Sequence, residues 1–450
     1  MSRVIKIRKG LNIRLQGAAE KFLTKASHAE RYAVKPSDFK GVTLRLCVKQ
    51  GDAVKAGTPV LYDKNNPAVK IVSPVSGVVE TINRGDRRKL LEAVIKPDAE
   101  QVSEKFNISE DAVKNREQII NLMLEAGLWA YVIQRPYGII ANPNDKPKAI
   151  FISGFDSAPL TVDMDFLLAG REEHFQKGID ILAKLTDGKV HLGLSSEDYG
   201  SKLNKVKNAE ITIFSGKHPA GNVGVQIHHI SPVNKGDIVW TIDAQHVAML
   251  GRFFTTGVYN ADKVVALCGS KVKRPQYMHI IAGAAISSIS EFIDNSSGNV
   301  RYINGDVLTG SNIGNDGYTG FYGNRISVIP EGDRYEFLGW AMPRLNKFSA
   351  SRSYFSWLTP YKSYTQDTNL NGGERAFVVT NQYEKVLPMD IYPVYLLKAI
   401  LAENIEKMEQ LGIYEVIEED LALCEFVCTS KIEVQSIIRR GIDLMIKEMS

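Results

Sequence analysis

Between Gly41 and Asp63 the sequence reads GVTLRLCVKQGDAVKAGTPVLYD. Val42, Leu44, Leu46 and Val48 fall on one side of an extended chain and Thr43, Arg45, Cys47 and Lys49 on the other, so this is a half-buried strand. Turn residues follow at once, in Gln50-Gly51-Asp52 and Ala56-Gly57. A further strand starts at Val69 and Ile71, and Ser73-Pro74 and Ser76-Gly77 mark turns before VVETI. Strands this short, cut by glycine at close intervals, cannot make a helical bundle or a wound parallel sheet. They predict a small sandwich or barrel.

The rest of the chain is different. ISEDAVKNREQIINLMLEAGLWAYVIQRP has helical periodicity, with Ser109 as N-cap, Glu110 and Asp111 in the first turn, and Val113, Ile120, Leu124 and Leu128 on one stripe. KAIFISGFDS is a buried strand, DFLLAGREEHFQKGIDILAKLTDG a helix, and KVHLGLSS and AEITIFSG two more strands. That order predicts a parallel α/β layer. From Val394 to Leu411 the apolar spacing is helical again, with Gly412 as the stop, and EVIEEDLALCEFVCTSKIEVQSIIRRGIDLMIKEM continues as a helical tail.

The chain has 450 residues, enough for about three domains. A net charge of +4 is too small over this length to suggest a nucleic-acid binder, and no nucleic-acid partner is expected. No apolar run reaches the length of a membrane span, and the basic, alternating N-terminus lacks a signal core. A cytosolic protein is expected, free or bolted onto a membrane complex.

Motifs for cofactors are sparse. No G-x-G-x-x-G or G-x-x-x-x-G-K-[ST] occurs, and the glycine-rich run from Gly310 to Gly320 has the wrong spacing. Cys424 and Cys428 are two where iron–sulfur ligation generally needs four, and i,i+4 spacing on a helix suits a pair of small buried hydrophobes. His218, His228, His229 and His246 cluster in sequence without H-E-x-x-H, and His228 and His229 would diverge on an extended chain. Arg84, Arg87, Arg88 and Lys89 surround a Gly85-Asp86 turn, either as a solvated cluster or as a dock for an acidic partner or lipid headgroups. Phe348 to Gln366 is dense in aromatics, either pinning an irregular segment to the core or facing a partner or a quinone ring.

Two resemblances follow from these residues. Residues 41–96 resemble the barrel-sandwich fold of biotinyl and lipoyl carriers, whose modified lysine sits at a tight apex. Here Asp63-Lys64 occupies that place, but the arm before Lys64 is short and NNPAV lengthens the far side. A structural turn is favoured over a swinging arm. Along the whole chain, GLNIRLQG, SPVSGVVETINRGDRR, GLWAYVIQRP, HPAGNVGVQIHHISPV, GRFFTTG, KFSASRSYFS and EEDLALCEFVC resemble, in order, the family of A subunits of bacterial Na⁺-translocating NADH:quinone oxidoreductases. That family is similar to the flavoprotein subunit of complex I and the C subunit of the Rnf complex.

The resemblance implies an α/β multidomain chain. A barrel-sandwich module spans 1–100 and a Rossmann-like α/β domain 101–260. A β-grasp-like ligand-binding module spans 261–370 and a helical domain 371–450. It implies a peripheral subunit at the cytoplasmic face of the bacterial inner membrane, docked on the membrane-embedded B subunit. The complex passes electrons from NADH to quinone and exports Na⁺. Flavins, iron–sulfur clusters and NADH belong to other subunits, and quinone is the ligand linked to this one. No catalytic residue and no metal set stands out. His218, His228, Phe355 and Trp357 are the candidates for quinone or partner contact.

Overall fold

The structure is a computed structural model describing residues 3–109, 111–197, 200–296, 298–333 and 336–449. Its largest sheet has seven strands, in the order Arg3–Ile7, Glu210–Gly216, Lys189–Ser195, Ala149–Ser153, Val239–Thr241, Ile133–Arg135 and Ile139–Ile140. The first five run parallel and the last two antiparallel. The runs AIFIS and KVHLGLS are covered on both faces, as a parallel sheet requires. Helices Glu172–Leu182 and Ala244–Thr256 pack over it at glycine contacts. A Cβ added to Gly178 would lie 2.1 Å from the Val247 carbonyl oxygen, and one added to Gly251 would lie 1.7 Å from that of His174. Only glycine permits that approach.

The alternating N-terminal segment forms the barrel-sandwich. Its walls are a four-stranded sheet (Tyr32–Val34, Leu90–Pro97, Gly77–Arg84, Ala53–Val54) and a three-stranded one (Leu44–Leu46, Pro59–Asp63, Lys70–Val72). Val42, Leu44, Leu46 and Val48 are half-buried and Thr43, Arg45, Cys47 and Lys49 exposed, as their alternation predicts. A mixed six-stranded sheet follows, in the order Ser311–Asn312, Val300–Asn304, Arg325–Pro330, Asp262–Cys268, Gln276–Ile281 and Glu20–Lys25. The first 25 residues thus stitch the modules together, giving one strand to the parallel sheet and one to the mixed sheet.

Four helix expectations need correction. DFLLAGREEHFQKGIDILAKLTDG holds two helices, Met164–Leu167 and Glu172–Leu182, parted at Gly170 with its left-handed φ of 75°. The helix after residue 109 starts later, at Arg116–Glu125, because the Asn115 side chain accepts the Glu117 N–H; Ser109 is not its cap, and Glu110 lies outside the described residues. GLWAYVIQR leaves the helix at Gly127, whose left-handed φ of 69° turns the chain into a 3₁₀ turn and then a strand. The stripe from Val394 to Leu411 is two helices, Pro393–Leu401 and Ile405–Gln410, with Asn404 capping the second through the Lys407 N–H. A side-chain cap outcompetes a continuous apolar period wherever it can satisfy the free N–H groups of a new helix start.

The helical tail closes with Ala422–Val427 and Val434–Met449 and shares one core with Ile5, Ile7 and Phe214. Its polar attachment is the acidic triplet Glu418-Glu419-Asp420. Arg135 is 2% exposed and reaches Asp420 at 2.7 Å and Glu419 at 2.8 Å. Glu418 takes Lys40 at 2.6 Å and Arg439 at 2.6 Å. Arg439 also donates to the Tyr137 carbonyl.

Burial pushes the Glu418 carboxyl up, but the bonds from Arg439 and Lys40 overcome that and bring it down to about 2 from its ordinary 4.5. A carboxylate depressed in the folded state contributes stability above its unfolded value and loses it as pH falls towards the folded one. Glu418→Gln is therefore expected to lower unfolding free energy by roughly 3 kcal/mol near neutral pH. The gap to the parent chain should shrink between pH 4.5 and 2. Urea unfolding across that range measures it.

Candidate functional site

In an open α/β sheet, ligands bind beyond the carboxyl ends of the strands, where the order of connections reverses. Here the chain steps from Ala149–Ser153 to Lys189–Ser195 to Glu210–Gly216 on one side, then returns to Val239–Thr241 on the other. The reversal falls between Ala149–Ser153 and Val239–Thr241. Helix Ala244–Thr256 begins just past it, where an anion would be expected.

That helix start carries its own carboxylate. Asp243 accepts the Gln245 N–H at 2.8 Å and the Asn324 side-chain amide at 2.6 Å. Beside it the Lys263 ammonium, 1% exposed, donates to the carbonyls of Gly320 at 2.8 Å, Phe321 at 3.1 Å and Gly323 at 3.0 Å. Asp38, from the barrel-sandwich, accepts the Phe321 N–H at 3.0 Å. Burial lowers Lys263 to about 8 against the opposing pull of Asp38 and Asp243. The neighbouring floor is aromatic. His246 stacks on Tyr131 at 4.2 Å, and Tyr131 on Phe321 at 4.7 Å. Burial lowers His246 to about 3, so it is a neutral ring in this stack. The crevice is filled by the chain itself, and Asp243 would repel a phosphate. These residues do not fit a flavin or dinucleotide.

The four candidate residues do not converge. His218 is buried with Nδ1 3.1 Å from Ser157 Oγ, and burial lowers its basicity although Asp306 and Asp156 pull the other way. His228 sits on helix Val223–Ile230, not on an extended chain. Its Nε2 accepts the Asp390 N–H at 3.1 Å, so Nδ1 carries the proton and donates to Glu415 at 2.7 Å. Both ring nitrogens are spent fastening that helix to the tail. Phe355 and Trp357 share an exposed 3₁₀ turn, with Arg352 over the Trp357 ring at 5.3 Å. Lys64 is exposed on a turn fixed by Asp63, whose carboxylate accepts the N–H groups of Thr43, Asn65 and Asn66. Cys424 and Cys428 are buried free thiols, and Tyr383 donates to Cys428 Sγ at 3.0 Å. Cys428 lies just past the end of its helix, not on it.

The open space lies elsewhere. A cleft of about 890 Å³ runs between the mixed sheet near Arg301, the segment 347–375 and the tail helices near Phe426. Phe348 forms its aromatic wall, stacked on Phe426 at 6.2 Å. Tyr354 and Leu308 add apolar surface, and Lys347 and Arg375 add donors. Ser349, Gln366, Asp367 and Asn369 make the rest of the wall polar. Lys263 and this cleft were missed in the sequence. Lys263 had one visible signal, a lone cation inside the apolar strand DKVVALC, whereas the cleft walls come from separate segments near Arg301, Phe348 and Phe426 that no local pattern joins.

A barrel-sandwich, an α/β sheet and a mixed sheet in this order define a chain of the NqrA kind. Residues 5–98 match the NqrA N-terminal barrel-sandwich hybrid domain, 114–259 the NqrA second alpha/beta domain and 264–314 the NQRA C-terminal domain. The chain belongs to the family of A subunits of Na(+)-translocating NADH-quinone reductase. It is 36% identical to the Hahella chejuensis protein of that name over 99% of this chain and 100% of that one. It is 36% identical to the Yersinia pestis bv. Antiqua protein over 97% and 98%, and to the Neisseria meningitidis protein over 99% and 100%. The relatives' name places them in a sodium-translocating NADH–quinone oxidoreductase complex. An NAD⁺-reducing [NiFe]-hydrogenase chain aligns with 75% of this chain and 62% of its own length, at 12% identity and a TM-score of 0.37. Among the described residues no helix is long and apolar enough to cross a membrane.

Removing the buried ammonium strands its partners. Lys263→Met is expected to cost about 3–5 kcal/mol of unfolding free energy, because two carboxylates and three carbonyls lose their counter-group. Urea denaturation followed by circular dichroism checks this, and a loss under about 1 kcal/mol would remove Lys263 from its organising role.

Proposed function

We propose that this chain is the peripheral subunit of a complex that carries electrons from NADH to quinone and exports Na⁺, docked on the membrane-embedded B subunit at the cytoplasmic face of the bacterial inner membrane. In this reading the parallel sheet is Rossmann-like and the mixed sheet β-grasp-like, with module boundaries near residues 100, 260 and 370. The chain itself holds no flavin, cluster or metal, and its part is to bind the quinone ring or shape its access. The observation that carries this is the cleft beside Phe348, a space of about 890 Å³ with an aromatic wall near exposed donors. A second reading, a purely structural subunit, is favoured by the filled crevice at Lys263 and by the acidic triplet that locks the tail.

A water-soluble quinone analogue separates the two. Titration of the full chain, followed by intrinsic fluorescence, is expected to show one saturable site. Phe348→Ala should weaken it about three- to tenfold, since an aromatic stacking partner contributes about 0.5–1.5 kcal/mol. Arg375→Ala, an exposed change that leaves the fold alone, should weaken it less. An absence of saturation leaves the structural reading.

A further inference from the structure

The four tryptophans divide sharply. Trp129 and Trp240 are fully buried, whereas Trp340 is 57% and Trp357 50% exposed. The exposed pair belongs to one patch. Between residues 337 and 361, nine large apolar side chains face outward, among them Phe337, Leu345, Leu358 and Tyr361. A protein surface seldom leaves that much apolar area uncovered without a use. The run is also one-signed. From Phe337 to Gln366 there are four cations, Arg344, Lys347, Arg352 and Lys362, and no carboxylate. At this chain's average of 51 acidic residues in 450, thirty residues would hold about three.

One neighbouring carboxylate takes up two of these cations and leaves Arg352 and Lys362 facing outward. Glu336 pairs with Arg344 at 2.9 Å and Lys347 at 3.0 Å. On the other side the N-terminal chain brings a cation in. The Tyr364 N–H donates to the Arg14 carbonyl, and the Arg14 guanidinium lies 5.5 Å over the Tyr361 ring. Arg352 covers Trp357, and the Lys362 ammonium sits 5.3 Å over Tyr364. Tryptophan and tyrosine interleaved with lysine and arginine is the chemistry of the headgroup layer, where an amphipathic ring takes the boundary and a cation takes the phosphate.

We infer that residues 337–362, with Arg14, form a surface that seats directly on an anionic phospholipid bilayer. The backbone here is turns and one 3₁₀ turn, so it stays at headgroup level, because irregular backbone cannot enter hydrocarbon unpaired. Only the side chains reach the acyl boundary. A fluid anionic surface can meet Arg14, Arg352 and Lys362 wherever they stand, whereas a protein partner would need an acidic group placed opposite each. The inference goes beyond docking on a partner protein and needs no quinone in the cleft.

The test mixes the full chain with phosphatidylcholine vesicles, with and without phosphatidylglycerol, and reads flotation and tryptophan emission. Expected are flotation with the anionic vesicles only and a blue shift of emission as Trp340 and Trp357 leave water. Raising salt from about 50 to 500 mM should weaken binding roughly tenfold or more. The double variant Trp340→Ser/Trp357→Ser, in which Trp129 and Trp240 still report an intact fold, should lose the shift and most of the flotation. No flotation at low salt would overturn the inference and assign the patch to a protein partner, leaving the quinone titration untouched. Flotation that the double variant keeps would overturn it equally, by placing lipid contact elsewhere.

Discussion

A single buried ammonium joins three of the four modules. Lys263 leaves a strand of the mixed sheet and ends among three carbonyls of the loop 320–323. It faces Asp38 of the barrel-sandwich and Asp243 at the carboxyl end of the parallel sheet. An ammonium taken out of water is tolerable only with such an acceptor set. The acceptors are spread over the modules, so none of these can move away without leaving the charge unsatisfied. The interaction also decides what the α/β sheet cannot do. It occupies, with Asn324 and the Phe321 ring, the place where a sheet of this topology ordinarily takes its ligand. The same groups that fix the modules exclude the phosphate.

The tail is held by the complementary arrangement, with the carboxylates on the tail and the cations largely on the body. Arg135, Lys40 and Arg439 come from a strand, a loop and the last helix, and all meet at three consecutive acidic residues. Asp420, fully buried, also accepts the Ile417 N–H at 2.9 Å. The tail core takes in the first strand, so the two ends of the chain are packed as neighbours.

How much of this was legible follows from range. Alternation at 42–48 and the apolar runs at 149–153 and 189–195 are local signals, and they reveal the barrel-sandwich and the parallel strands. The helix start at Asn115 and the break at Asn404 are also local, but each is one side chain competing with a periodic stripe, and the stripe is the louder pattern. The recruitment of residues 3–7 and 20–25 into two other sheets has no local signature, because a short strand does not state its partner. At the site, the histidines stand out as residue types, yet the structure uses His218 as a buried bonded group, His228 as a clamp to the tail and His246 as a buried ring in an aromatic stack. EEDLALCEFVC is conspicuous for its cysteines, while its work is done by the three acids before them.

The segment 347–362 connects the cleft with the outer surface. Tyr354 and Ser356 are buried, Tyr354 in the cleft wall, and Phe355 and Trp357 alternate with them to face outward. One short stretch thus has an inner face on an apolar cavity and an outer face suited to lipid. A quinone with an isoprenoid tail dissolves in the bilayer, so its concentration is highest beneath a surface seated there. A binding cleft whose wall is that surface's own back would draw its ligand from the membrane rather than from water. The closed crevice at Lys263 lies at the opposite kind of location, under the barrel-sandwich and cut off from any such supply. If the proposed quinone site is right, ligand access in this scaffold lies beside the exposed aromatics and not at the crevice that Lys263 and the loop 320–323 fill.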